Sequence, residues 1–273
     1  MLKKISKIIF KLIFKPIWST REISRLIYLY NSNKWFEKNF SFLKIEKKSF
    51  RPQTDDLKRI SDHILKFKPK FCLEYGSGIS SIIILNAMST YTSKGKLVSI
   101  ESEKRWSKNT EKMVSNSNIK GDFDLKILKP IIEKVILKLH YTKSIFWYPS
   151  KINVSKGNFI CLRYQYVIKN YVPDFIYIDG PDPMLVNNSK NGFSNKSLCL
   201  PPISGDLLKI EPFLLPGTLV VIDGRTSNAR FLKNNLQRNW AYFEDFKNDQ
   251  NILYLDEKPI GKINLKQIKF YKS

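Results

Sequence analysis

The sequence predicts an α/β fold: a doubly wound, mostly parallel sheet that ends in an antiparallel hairpin and carries a helical extension at its N-terminus. Three observations lead there. Short apolar runs alternate with helix-like segments from Phe71 to Asp223, the pattern of strands joined by crossover helices. The first run ends in a glycine turn, Glu74-Tyr75-Gly76-Ser77-Gly78. The last two runs, Ala241 to Phe246 and Ile252 to Asp256, are separated by a short polar turn at Lys247-Asn248-Asp249-Gln250. That turn is too short for a parallel crossover, so the sheet closes antiparallel.

Taken in order, Thr54 is the expected N-cap of a helix whose Leu57, Ile60, Ile64 and Phe67 follow helical spacing. His63 lies beside that stripe and reads as a helix-surface or half-buried residue, not a catalytic one. Phe71 to Tyr75 is the first strand and Ile79 to Ala87 a buried helix. Lys96 to Glu101 is the second strand, Lys104 to Val114 a polar helix and Phe123 to Leu128 the third strand. Asp174 to Asp179 and Thr218 to Asp223 are the fourth and fifth strands. Helices are expected at Leu207 to Phe213 and Ala229 to Arg238. A dinucleotide-binding sheet would continue with another parallel crossover after the fifth strand; the hairpin departs from that.

Composition supports a folded chain: of 273 residues, 42% are hydrophobic and 13% aromatic. The formal net charge is +23, from 47 Lys and Arg against 24 Asp and Glu. Such a field favours acidic partners, although a Lys-rich composition throughout would produce the same excess. The three cysteines, Cys72, Cys161 and Cys199, are sparse and lack zinc-ligand spacing, which fits a reducing compartment.

Residues Leu2 to Phe14 set Lys4, Lys7, Lys11 and Lys15 along one stripe and Ile5, Ile8, Ile9, Leu12 and Ile13 on the other side. This is a basic amphipathic helix suited to a membrane interface. Lysines interrupt every apolar stretch before the roughly 20 residues a span needs. Pro16 ends it, and Ser19-Thr20-Arg21-Glu22 is a capping box for a second helix through about Tyr30. Trp35 to Pro52 reads as a basic, aromatic linker. The expected organisation is therefore 1–53 as N-terminal helices and linker, 54–256 as the main domain and 257–273 as a basic tail. Residues 1–18 would hold the protein peripherally on an anionic membrane surface, at the cytoplasmic (inner) face; packing of both helices on the domain is the alternative.

Ligands of open α/β sheets bind beyond the carboxyl ends of the strands. There the glycines of Gly76-Ser77-Gly78 permit a tight turn and close approach of a ligand. Glu74, two residues before the first glycine, suits a cationic ligand group and would repel a pyrophosphate. The third glycine of a G-x-G-x-x-G motif is replaced by Ser81. Glu101 ends the second strand, where an acid can take both hydroxyls of a ribose.

These residues resemble the class I S-adenosylmethionine-dependent methyltransferases, a Rossmann-like family. Leu73-Glu74-Tyr75-Gly76-Ser77-Gly78-Ile79-Ser80 looks like its first motif, Val98-Ser99-Ile100-Glu101 like its ribose-binding acid, and the hairpin like its reversed last strand. The resemblance implies S-adenosyl-L-methionine as cofactor, with the Glu74–Gly78 turn around the methionine moiety and Glu101 at the ribose. The acid that the family often places near the adenine is not recognisable.

Ile178-Asp179-Gly180-Pro181 and Ile222-Asp223-Gly224-Arg225 put two carboxylates at adjacent strand ends. They could act as base and orienter for a hydroxyl acceptor, or share a Mg²⁺. The arrangement is similar to metal-dependent catechol-type O-methyltransferases, except that their Asp-Asn pair is Asp223-Gly224 here; Asp223 also reads as a turn-capping Asp. Pro181 to Gly205 is long enough to cover a substrate, and Pro130 to Tyr171 is an aromatic, basic insertion. The expected activity is O-methylation of a glycan, lipid-linked sugar or small-molecule hydroxyl. A nicotinamide-dependent oxidoreductase and a non-catalytic membrane or nucleic-acid binding module are the alternatives. Nucleic-acid base methylation is disfavoured because Ile178 to Pro183 is not an Asp-Pro-Pro-Tyr type motif.

Overall fold

The computed structural model describes residues 20–43, 53–128, 130–137, 157–164, 172–181, 203, 205–245, 248–258, 262–263 and 265–266. The amphipathic segment from Leu2 to Phe14, most of Pro181 to Gly205 and most of the basic tail lie outside these residues. The chain divides into two compact units, 1–62 and 63–273.

In the first unit, α1 (Thr20–Phe40) extends ten residues beyond the expected end. Trp35 to Phe40 is helical and not part of a linker. Phe40 packs at 5.3 Å from the Trp35 ring and 5.5 Å from Phe36. Tyr28, Ser32, Phe36 and Phe40 share a spacing of four, but Ser32 interrupts the apolar pattern. Its hydroxyl donates to the Tyr28 carbonyl at 2.7 Å, which makes it tolerable inside the helix. The helix α2 spans Thr54–Phe67. The Gln53 carbonyl accepts from the amides of Asp56 and Leu57, so Gln53 takes the cap position expected of Thr54. The Thr54 hydroxyl instead donates to Asn33 at 2.5 Å.

The second unit is built on a seven-stranded sheet. Its strands are β1 (Phe71–Tyr75), β2 (Lys96–Glu101), β3 (Asp122–Ile127), β6 (Phe175–Ile178), β7 (Leu219–Asp223), β8 (Trp240–Asp245) and β9 (Gln250–Leu255). The order is β3-β2-β1-β6-β7-β9-β8. The first five strands pair in parallel, whereas β9 is antiparallel to both β7 and β8. The fold class read from the sequence is the one observed.

The helices are α3 (Ile79–Ser89), α4 (Lys104–Ser115), α5 (Gly205–Ile210), a 3₁₀ turn at Glu211–Phe213, and α6 (Thr226–Asn235). Alternation along β1 divides the sheet. Leu73 and Tyr75 join Val98, Ile100, Ile176, Ile178, Val220, Ile222 and Leu253 in one apolar core with Leu207 of α5 and Leu232 of α6. Cys72 and Glu74 point to the other face. There α3 begins; Ile82, Ile83, Ile84 and Leu85 are all buried, so its apolar run is that of a helix enclosed on every side.

The expected insertion contains a second sheet. The strands β4 (Pro130–Leu137) and β5 (Gly157–Tyr164) pair antiparallel in register from Pro130 opposite Tyr164 to Leu137 opposite Gly157. Both runs are rich in β-branched or aromatic residues. Their pairing is non-local, and local periodicity does not reveal it. Among the described residues, no helix is long and apolar enough to cross a membrane.

Candidate active site

The turn after β1 is held from both sides. The Gly76 amide donates to the Ile100 carbonyl at 2.8 Å, and the Tyr75 carbonyl accepts from the Asp179 amide at 2.9 Å. Thus the turn continues both ladders by one residue. Gly76 has φ +94°, and a Cβ there would stand 3.0 Å from the Gly180 nitrogen. A Cβ on Gly180 would in turn lie 2.9 Å from Gly76 Cα and 3.0 Å from the Tyr164 hydroxyl. Two backbones cross here at a distance only glycine permits. Gly78 differs, since a Cβ on it would meet nothing within 4 Å.

Glu74 lies beneath the turn and is 0% exposed. Its carboxylate accepts from the hydroxyls of Ser80 at 2.6 Å, Ser81 at 2.5 Å and Ser99 at 2.5 Å. Burial pushes its carboxyl up to about 7, although the three hydroxyls pull the other way and Asp179 adds to the rise. Tyr75 sends its side chain to the opposite face, into the core, where it stacks on Tyr164 at 5.9 Å. Its contribution to the turn is therefore its backbone.

Glu101, at the end of β2, is nearly buried and accepts five hydrogen bonds. Oε2 takes the Ser77 amide at 3.0 Å and the Ser77 hydroxyl at 3.2 Å. Oε1 takes the Ser102 amide at 2.6 Å, the Ser102 hydroxyl at 3.1 Å and the Glu103 amide at 3.0 Å. One carboxylate thereby fastens the glycine turn to the start of α4. The Ser77 hydroxyl also lies 3.3 Å from Thr110 Oγ1 on that helix.

At the rim, the Asp179 side chain is 51% exposed and meets Arg225 Nη2 at 3.4 Å. The same nitrogen donates to the Asp179 carbonyl at 2.6 Å. Asp223 accepts from the Tyr177 hydroxyl at 3.2 Å. Burial, reinforced by Asp179, Asp223 and Glu74, holds the Tyr177 phenol well above its usual range, so it stays protonated and donates. Among the described residues, no group of three or more His, Cys, Asp and Glu stands close enough to hold a metal ion. With one of the two rim carboxylates against a guanidinium and the other accepting from a phenol, the donor set does not fit Mg²⁺.

Glu74, Gly76, Ser77, Gly78 and Glu101 thus come together around one turn, while Asp179 and Asp223 stand on the neighbouring strand ends. His63 is half-buried, with Nε2 at 2.8 Å from Gln250 Oε1. Residues to which the sequence alone gave no role in the site are Ser80, Ser81, Ser99, Tyr177 and Arg225. Ser99 had a signal: a serine within the apolar strand Lys-Leu-Val-Ser-Ile-Glu, in register with Glu74. A hollow lined by Asn239, Asp256, Glu257 and Lys258 lies at the amino-terminal edge of the parallel strands, where β9 ends beside the start of β7. Ligands of such sheets bind at the other edge.

The strand order, with β9 reversed against β7, is a Rossmann-like arrangement: a doubly wound parallel sheet closed by an antiparallel hairpin. Solved structures similar to this chain include the O-methyltransferase TomG from Streptomyces achromogenes, 12% identical over 84% of this chain and 90% of that one, with a TM-score of 0.40. An O-methyltransferase from Bacillus cereus is 12% identical over 90% of this chain and 94% of its own, with a TM-score of 0.41. A tRNA (m1A58) methyltransferase, TrmI from Aquifex aeolicus, is 14% identical over 80% and 74%, with a TM-score of 0.40. No family model and no curated protein sequence matches the chain.

Proposed function

We propose that the protein is an S-adenosyl-L-methionine-dependent methyltransferase acting on a hydroxyl. The observation that carries this reading is the turn itself: Gly78 faces open space beside Glu101, at the carboxyl end of β1 in a sheet of the methyltransferase order. The backbone of Gly76 to Gly78 would surround the methionine part. Glu101 would take the ribose hydroxyls in exchange for some of its present bonds from Ser77 and Ser102. When bound, the cofactor supplies a sulfonium methyl group as the electrophile.

The chain's own residues would position the acceptor and move its proton. Asp179, exposed at the rim and oriented by Arg225, is the candidate base. Asp223, fixed by the Tyr177 hydroxyl, would orient the acceptor. The acceptor class we favour is a glycan, lipid-linked sugar or related small molecule, reached from an anionic membrane surface through residues 1–18.

Calorimetry with S-adenosylhomocysteine and with NAD tests the cofactor. Saturable binding of S-adenosylhomocysteine and none of NAD is expected; the reverse would replace this reading with an oxidoreductase. Asp179→Asn should keep S-adenosylhomocysteine affinity and lower turnover about 100-fold, the scale of general base assistance. Unchanged turnover, followed by release of S-adenosylhomocysteine, removes Asp179 from the chemistry.

A further inference from the structure

Ser81 occupies the position at which a G-x-G-x-x-G turn has its third glycine, and its side chain forms a link that a glycine lacks. The Gly78 amide donates to Ser81 Oγ at 3.1 Å, and the Ser81 hydroxyl donates onward to Glu74 Oε2 at 2.5 Å. Ser99, from β2, donates to the same carboxylate oxygen at 2.5 Å, and Ser80 donates to Oε1 at 2.6 Å. Glu74, Ser81 and Ser99 are fully buried. The chain of bonds runs from the sheet interior to the residue whose missing side chain leaves open space at the turn.

We propose that Glu74 is a positioning residue that sets the Gly78 backbone through Ser81, so that the protonation state of one buried carboxyl controls how well the turn receives its ligand. This rests on the reading of the turn as an S-adenosylmethionine site. The physical basis is donor–acceptor counting. An ionised carboxylate only accepts, so all three serines donate to it, and the Ser81 oxygen keeps lone pairs for the Gly78 amide. A protonated carboxyl must itself donate, and Oε2 carries two of the three serines. The serine facing the added proton has to turn and accept; if it is Ser81, its oxygen is shared between Glu74 and the Gly78 amide, and the bond that sets Gly78 weakens and shifts.

The groups facing Glu74 support a change near neutrality. Asp179, beyond β6, raises its carboxyl further, in the same direction as burial. Tyr177 on β6 and Cys72 on β1 are both held protonated by burial and stay neutral. Burial and Asp179 together push the carboxyl up to about 7.

The test uses full-length, ¹⁵N-labelled protein without ligand. The Gly78 amide resonance should titrate with a midpoint of about 7 in wild type, and the titration should vanish in Glu74→Gln and Ser81→Gly. In parallel, S-adenosylhomocysteine binding measured by calorimetry should weaken about three- to tenfold as pH falls through that midpoint, the scale of one hydrogen bond. It should be independent of pH in Glu74→Gln. Thermal melts establish that both variants fold, and the wild-type titration stands even if neither does. A flat Gly78 titration in wild type, or one that persists in Glu74→Gln, overturns the proposal. A titrating Gly78 in a protein that binds no S-adenosylhomocysteine at any pH supports the link and overturns the cofactor reading instead.

Discussion

An added Cβ at Gly76 would stand 3.0 Å from the Gly180 backbone at a φ of +94°, whereas one at Gly78 would meet nothing within 4 Å. The φ of Gly78 is 171°, an extended conformation open to any residue. The two glycines of the motif therefore serve different purposes. Gly76 is required by the protein's own backbone; Gly78 meets no such demand, and on the proposed reading it leaves room for the ligand. Gly76→Ala should lower stability by about 2–3 kcal/mol, from the left-handed backbone and the contact with Gly180. Gly78→Ala should melt within about 0.5 kcal/mol of wild type and yet lose S-adenosylhomocysteine binding. Urea melts and calorimetry on the pair decide the matter. Equal destabilisation by both, with ligand affinity intact in Gly78→Ala, would show that both glycines serve the fold.

At the scale of elements, the junction between the 3₁₀ turn and β8 depends on one buried acid. Glu211 accepts from the Gln237 amide at 2.8 Å, the Arg238 amide at 2.8 Å and Trp240 Nε1 at 2.9 Å. Arg238 returns the bond through Nη1 to the Glu211 carbonyl at 2.9 Å and also pairs with Glu257. The turn that precedes β7 is thereby fixed to the strand that follows α6. Removing the carboxylate leaves several donors without an acceptor, so Glu211→Ala should cost about 2–4 kcal/mol. A urea melt showing a loss under about 1 kcal/mol would mean that water replaces the carboxylate at little cost.

Across the whole molecule, the +23 charge and the amphipathic segment from Leu2 to Phe14 carry the membrane proposal. On the proposed reading this segment would add burial of its apolar residues in the interface to about 1 kcal/mol for each lysine near an anionic leaflet. Neither contribution anchors firmly alone, so binding should be reversible and weaken with salt. Deleting residues 1–18 should release the protein from anionic vesicles while S-adenosylhomocysteine binding persists. Equal co-sedimentation of full-length and shortened protein, at low and high salt, would show that the lysine stripe is only a solvated face.

The strand and helix order of the main sheet, the carboxyl-end placement of Glu101, Asp179 and Asp223, and the reversed hairpin were readable from the chain alone. Each is a local property: apolar period, strand length, a glycine turn, a connection too short to cross over. What only the tertiary structure decided is how these ends meet. The crossing of Gly76 with Gly180 joins residues about a hundred positions apart in sequence. So does the stacking of Tyr75 on Tyr164, which takes a motif residue's side chain into the core. The pairing of β4 with β5 and the continuation of α1 through a buried serine also escaped local pattern. Above all, Glu74 is surrounded by Ser80, Ser81 and Ser99 and not left open to solvent. Periodicity says which face a residue takes, but its partners on that face come from other elements, brought there by register and close packing.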